Sequence, residues 1–270
     1  MKKAWWKIAL AMVGLMTWAA ANAGAAGVPA GFRAVGTDVD PASGLPKLIE
    51  HEKTGYRLCL VPAGEFLLGS KEGEGHFTEH PQRRIYLDAY WIGETEVTCA
   101  QYAEFLNEKG NRKKGAIKCC NVGGPAVKIV ESNGRFNPRA GYEAHPVVEV
   151  SWYGARAFAR WLGGDLLTEA QWEKAAKGGQ EAPWPWGDVW DKNKANTAER
   201  LAGVDEFNSF EMFWEWYGPY RENTLDKGDY SDTTVAVKGY PPNGYGLYDM
   251  AGNAWEWCLD RFSIEHYERL

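Results

Sequence analysis

Asp249 and Glu256 bracket the run DMAGNAWE, inside a segment from Asn243 to Asp260 that also carries three glycines and two tryptophans. So many glycines in so short a stretch disfavour both a helix and a buried strand. Irregular backbone pinned by large aromatics is expected instead. Calcium takes carboxylate and carbonyl oxygens, and glycine lets a chain wrap closely enough to aim its carbonyls inward. Asp249 and Glu256 can supply side-chain oxygens, with Gly252 and Ala254 supplying carbonyls. The same two acids can equally cap turns, and the residues alone leave both readings open. Trp255 and Trp257 occupy alternate positions, so in an extended segment one enters the core while the other lines a groove for an extended peptide; packing of both in the core is the simpler arrangement.

Other chemistries find no support. Cysteines stand at 59, 99, 119, 120 and 258 with no CxxC spacing, and the histidines are scattered, which argues against zinc. Adjacent Cys119 and Cys120 rarely bridge to each other, so the expectation is one disulfide partner and one buried thiol there, and an odd count leaves at least one thiol unpaired within the chain. There is no Ser/His/Asp arrangement, phosphate loop or basic aromatic stripe.

The elements that must hold these residues begin after residues 1–23, whose basic start, apolar run and Ala21-Asn22-Ala23 site read as a secretory signal peptide. That predicts a periplasmic or secreted protein. Cleavage near Ala23 removes Lys2, Lys3 and Lys7 and takes the formal charge from −6 to −9, which disfavours nucleic acid or anionic lipid as a partner. No later stretch is apolar enough to span a membrane. Residues 24–55 read as an N-terminal arm or linker, and residues 56–270 as one domain. Two short strands are expected in YRLCLVPAGEFLLGS and more β-structure in RRIYLDAYWIGETEVT. Helices are expected near 98–109, 152–162 and 169–177: Thr98 or Thr95 caps the first, Ser151 the second, and Thr168 with Gln171 forms a capping box for the third. A shorter one is expected around Phe210 to Tyr217. From Trp184 onward regular signals fade.

The ordered motifs PAGEFLLGS, HPQRRIYLDAYWIGETEVTCAQYAEFL, HPVVEVSWYGARAFARWLGG, LTEAQWEKAAKGG, WPWGD and NGYGLYDMAGNAWEWCLD resemble the formylglycine-generating-enzyme (sulfatase-modifying factor) family over about Tyr56 to Phe262. The resemblance implies an α+β, C-type-lectin-like fold with little regular structure. It also implies structural calcium. Asp249, Gly252, Ala254 and Glu256 match one family calcium site, and a second would use Asn196, Thr197, Asp229 and Ser231, with Asp232 as a competing ligand. Activity in the family is the O2-dependent oxidation of a substrate cysteine to Cα-formylglycine, using copper held by two cysteines.

Two departures qualify that expectation. Asp165 and Leu167 stand where the family usually has Arg and Pro, and the R-G-G-S motif with its paired copper cysteines does not occur before Leu270. The expectation is therefore a C-terminally incomplete, catalytically inactive chain, with copper relevant only if a further segment exists. The alternative is a non-catalytic, calcium-stabilised binding module of the same fold. Partners implied are an extended peptide or a small-molecule substrate.

Overall fold

The structure, a computed structural model, describes residues 16–19, 27–231 and 233–263. In chain order its elements are β1 (Met16–Ala19), β2 (Phe32–Ala34), β3 (Leu48–His51), β4 (Arg57–Val61), β5 (Gly64–Leu68), β6 (Arg83–Leu87), β7 (Tyr90–Gly93), α1 (Cys99–Lys109), β8 (Lys113–Lys114), β9 (Ile117–Lys118), β10 (Ile129–Ser132), β11 (Arg135–Pro138), α2 (Trp152–Trp161), β12 (Asp165–Leu166), α3 (Glu169–Lys177), α4 (Ala198–Ala202) and α5 (Phe210–Asn223). A six-stranded sheet runs β12-β1-β7-β4-β3-β2, with three two-stranded ribbons, β5-β6, β8-β9 and β10-β11. Every pairing between these strands is antiparallel.

Strand periodicity divides the interior into two cores. Successive side chains of a strand point to opposite faces. In β4, Leu58 and Leu60 enter one cluster while Cys59 and Val61 enter another. In β7, Trp91 joins the first cluster, and Tyr90 and Ile92 join the second. The first core packs the sheet against α1 and α2 through Tyr102, Phe105, Ala155 and Phe158, with the Phe158 ring stacked on Tyr102 at 5.5 Å. The second takes Ala175 and Ala176 from α3, together with Leu247 and Met250 from the glycine-rich segment. The part of that segment from Leu247 to Met250 is therefore held on the face of the sheet opposite α1 and α2, while Trp257 and Leu259 pack against the first core.

The helix boundaries follow their caps. Thr98 Oγ1 accepts from Gln101 N at 3.2 Å while Gln101 Oε1 accepts from Thr98 N at 2.9 Å, and Thr168 with Gln171 repeats the box. Ser151 Oγ accepts from Gly154 N at 3.1 Å. Gly178 ends α3 in the left-handed region, at φ 59°.

Two expectations need correction. Residues 24–55 are not a separate arm: they contribute β2 and β3 to the large sheet, with Phe32 and Ile49 buried in the first core. α5 continues past Tyr217 to Asn223 and contains Pro219. Proline removes one helix donor, but Trp216 stacks on Tyr220 at 4.9 Å and Asn223 Nδ2 donates to Pro219 O at 2.9 Å, which carries the helix across the gap. Met16–Ala19, inside the stretch read as a signal peptide, forms a sheet strand; the rest of residues 1–23 lies outside the described residues. No helix among the described residues is long and apolar enough to cross a membrane.

Asp165, where the resemblance leads one to expect Arg, is explained by its partners. Arg156 reaches it through Nε at 2.7 Å and Nη2 at 2.8 Å, and Arg160 through Nη2 at 3.3 Å. Burial by itself would raise the Asp165 carboxyl, but the Arg156 bonds, the Leu166 amide and Arg160 together hold it below its ordinary value of 3.8. A lowered folded-state value means the stabilisation is present above the unfolded value and is lost as pH falls through the folded one. For this partly exposed pair, Asp165→Asn is expected to cost about 1 kcal/mol near neutral pH. In urea melts at several pH values, the difference between wild type and variant should shrink as the medium becomes more acidic than pH 3.8.

Candidate functional site

The glycine-rich segment has no regular secondary structure and is fixed by asparagines. Asn243 Nδ2 donates to Ala175 O at 2.7 Å and to Ala176 O at 3.2 Å, while its Oδ1 accepts from Tyr245 N at 2.9 Å. This ties the segment to the C-terminal end of α3. Asn253, only 2% exposed, does the same at the other end: its Oδ1 accepts from Asn196 Nδ2 at 3.1 Å and from Val235 N at 2.9 Å, and its backbone N donates to Asn196 O at 2.8 Å. Asn196 and Gly252 form an isolated bridge there. A Cβ on Gly252 would lie 2.4 Å from Asn196 O, so only glycine fits.

The fold thus places parts of the two expected sites side by side. Asp249 is buried with φ 55°; its Oδ2 accepts from Lys238 N at 2.7 Å, and its Oδ1 is buried with no hydrogen-bond partner. Burial pushes its carboxyl up to about 6. Glu96, on the connection after β7, is 2% exposed, and its carboxylate has only the Asn253 amide and its own backbone N–H close by to offset its burial. Burial, then the charges of Asp249 and Glu256, raise its carboxyl well above the usual range. Glu256 accepts from Trp172 Nε1 at 2.7 Å. A buried carboxylate repelled by two neighbouring acids, beside an Asp249 oxygen left without a donor, is a setting in which a bound cation would be favourable.

The donor set can be tested against calcium directly. Among the described residues no three His, Cys, Asp or Glu side chains converge as a metal cluster. A hard cation at Asp249 and Glu256 would have to draw further oxygens from backbone, as calcium commonly does. Gly252 and Ala254 lie on this stretch, although Gly252 O also accepts from Ala254 N at 2.8 Å. The orphaned Asp249 oxygen and the steric cradle at Gly252 fit such an ion. The second set fits less well. Asn196 Oδ1 is taken by Arg200 through Nε at 3.0 Å and Nη2 at 2.8 Å. Asp229 is exposed and closes its own turn, accepting from Ser231 N at 3.0 Å and Ser231 Oγ at 2.7 Å. Thr197 Oγ1 is buried without a hydrogen-bond partner, and Asp232 lies outside the described residues.

Glu96 and Asn253 were not among the residues singled out from sequence. Their signals were present: an acid within the β-rich run GETEVT, and an amide directly after a glycine that a close backbone approach requires. The tryptophans divide, since Trp257 packs against the first core with Nε1 donating to Val150 O at 2.9 Å, while Trp255 stays 48% exposed.

The expected disulfide at Cys119 or Cys120 is not formed, and all five thiols are free. Burial pushes the thiols of Cys59, Cys99, Cys120 and Cys258 up to about 12 and raises that of Cys119. Neutral buried thiols are poor nucleophiles and poor metal ligands.

The family model of the sulfatase-modifying factor enzyme 1-like domain matches residues 46–269. The chain belongs to this family. Relatives of the sulfatase-modifying factor domain include the formylglycine-generating enzyme of Thermomonospora curvata, 38% identical over 235 residues, covering 77% of this chain and 72% of that protein. The formylglycine-generating enzyme of Streptomyces coelicolor is 34% identical, covering 77% and 69%. The serine/threonine-protein kinase pkn1 of Chlamydia caviae is 33% identical over 78% of this chain but only 29% of its own length. The fold agrees with that of PvdO from Pseudomonas aeruginosa, at TM-score 0.56 and 22% identity over 82% of this chain and 77% of that one. An α+β, C-type-lectin-like fold of the formylglycine-generating-enzyme type is thus established.

At Gly252, φ is +84° and a Cβ would also approach Thr197 Cγ2 to 2.9 Å. Gly252→Ala is therefore expected to destabilise the domain by about 2 kcal/mol or more, measured as a lowered urea midpoint at unchanged slope. The same change at exposed Gly134, with φ 72° and open space around it, should cost clearly less.

Proposed function

We propose that this chain is an exported formylglycine-generating-enzyme-like domain in which calcium has a structural role at Asp249, Gly252, Ala254 and Glu256. Family membership, with relatives named formylglycine-generating enzyme at up to 38% identity, is the observation that carries the reading. Export rests on the N-terminal signal pattern. When bound, calcium supplies positive charge to a buried acidic site. The chain's own residues do the rest: Lys238 N and the bridge at Asn196 fix the loop, and Trp172 orients Glu256. Glu96 faces the same charges, so it gains from the ion whether or not it touches it.

The parent chemistry implied by the family is O2-dependent oxidation of a substrate cysteine on copper held by two thiolates. None of the five thiols in this chain is disposed for that: all are raised in pKa, and all but the half-buried Cys258 are buried. The 270-residue chain is therefore expected to leave a CxPxR-type peptide unoxidised with added copper. Mass spectrometry of the peptide checks this, and oxidation lost on Cys119→Ser or Cys120→Ser would refute it. The second reading, a non-catalytic module of the same fold, is favoured by the kinase relative, in which this domain is less than a third of a protein named for another activity.

Calcium at about a hundred times its Kd should stabilise the folded state by roughly 2.7 kcal/mol. Thermal melts of wild type with and without chelator should separate accordingly, and Asp249→Asn should abolish the separation. Equal responses to magnesium and calcium, or an unchanged response in Asp249→Asn, would return these carboxylates to turn capping.

A further inference from the structure

β1 differs from every other strand of the large sheet in origin, because it comes from the apolar N-terminal segment, yet it stands inside the sheet. It pairs with β7 through Thr17↔Ile92, Trp18↔Trp91 and Ala19↔Tyr90, and with β12 through Met16↔Leu166 and Thr17↔Asp165. Thr17 is thus paired on both sides. Without β1, the two neighbours would face each other across a gap one strand wide, since β7 retains only β4 as a partner.

The edge so exposed would be an unguarded one. β7 reads Tyr-Trp-Ile-Gly, with Tyr90, Trp91 and Ile92 at most 1% exposed and divided between the two cores. Edge strands are normally blunted by proline, charge or a bulge; β7 has neither proline nor charge. On the other side, the charge of Asp165 is already engaged by Arg156 and Arg160, so it calls for no cation on an incoming strand. A gap flanked on one side by the buried, uncharged β7 and on the other by Leu166 and an Asp165 already paired with arginines accepts an uncharged extended strand.

We propose that the gap between β7 and β12 is a strand-acceptor site, filled by Met16–Ala19 in the full chain and, once the N-terminal segment is removed, by an uncharged extended peptide strand bound antiparallel to β7. The export reading bears only on how the gap opens in the cell; the site itself rests on the strand pairing. The frame sets the occupant's chemistry. It spans about four residues, the length of the β1 register. It carries no charge, because β7 is buried and Asp165 is already paired with arginines, and no proline at the position of Thr17, where both neighbours are paired.

The test uses the full chain carrying Thr17→Pro, the exported chain with its N-terminus fixed by mass spectrometry, and a labelled peptide of residues 15–20. Saturable binding to Thr17→Pro is expected, with amide exchange over Tyr90–Gly93 slowed at least tenfold, alongside no binding to the intact unprocessed chain. A peptide with proline in place of its threonine should not bind. If Thr17→Pro alone does not fold, the peptide must restore its near-UV tryptophan signal. Failure of Thr17→Pro to bind or be restored, or equal binding by the intact chain, would overturn the proposal. An exported chain that retains residues 1–23 while Thr17→Pro binds the peptide would remove the export reading and leave the acceptor site standing.

Discussion

The burial of β4 and β7 on both faces is the constraint on which the molecule depends. A strand in such a position cannot be polar on either side, and it sorts its alternate side chains into separate cores. Leu58, Leu60 and Trp91 face the helices α1 and α2, whereas Cys59, Val61, Tyr90 and Ile92 face α3 and the glycine-rich segment. A one-residue slip in either strand would exchange the two sets. The indole of Trp91 helps hold the register, because its Nε1 donates to Pro46 O at 2.9 Å in a strict orientation.

Polar order on the second face is built on that apolar layer. Leu247 and Met250 anchor the segment, and only then can Asn243 and Asn253 make their backbone contacts with α3 and with residues 196 and 235. Ladders of secondary structure are replaced there by amides acting as local templates. The consequence is electrostatic tension. Glu96 and Asp249 are held in a setting that disfavours their charges, and either protonation or a nearby positive charge would relieve it.

Much of this was legible in sequence where the determinants are local. Ser151, Thr168 with Gln171, and Thr98 as one of two candidate caps announce helix starts, because a cap and its donor lie within one turn of each other. The strands of residues 24–55 were not legible: β2 shows one buried residue in three, and its partner β3 is paired only through chain return. So short a segment carries no measurable period. Continuation of α5 past Gly218 and Pro219 depended on a ring stack that no capping rule encodes. Asp249 was visible because glycine, acid and amide cluster around it, while Glu96 was hidden because its partners come from the other end of the chain. The fate of the cysteines was equally non-local, since burial decides it.

The amide of Asn243 has a further consequence, for chemical ageing. Asn-Gly is the dipeptide most prone to backbone-assisted deamidation, and Asn243 is followed by Gly244. In the folded chain the reaction is opposed, since the side-chain nitrogen is held by Ala175 O and Ala176 O, and Gly244 is pressed against Gly178 so closely that a Cβ would lie 2.3 Å from its carbonyl oxygen. Once hydrolysed, the residue would present a carboxylate to two carbonyls where a donor had been. The damage is therefore self-propagating: each opening of the segment exposes the amide, and each amide lost weakens the hold of the segment on α3. Accumulated negative charge in an old preparation would record how long its molecules have spent open.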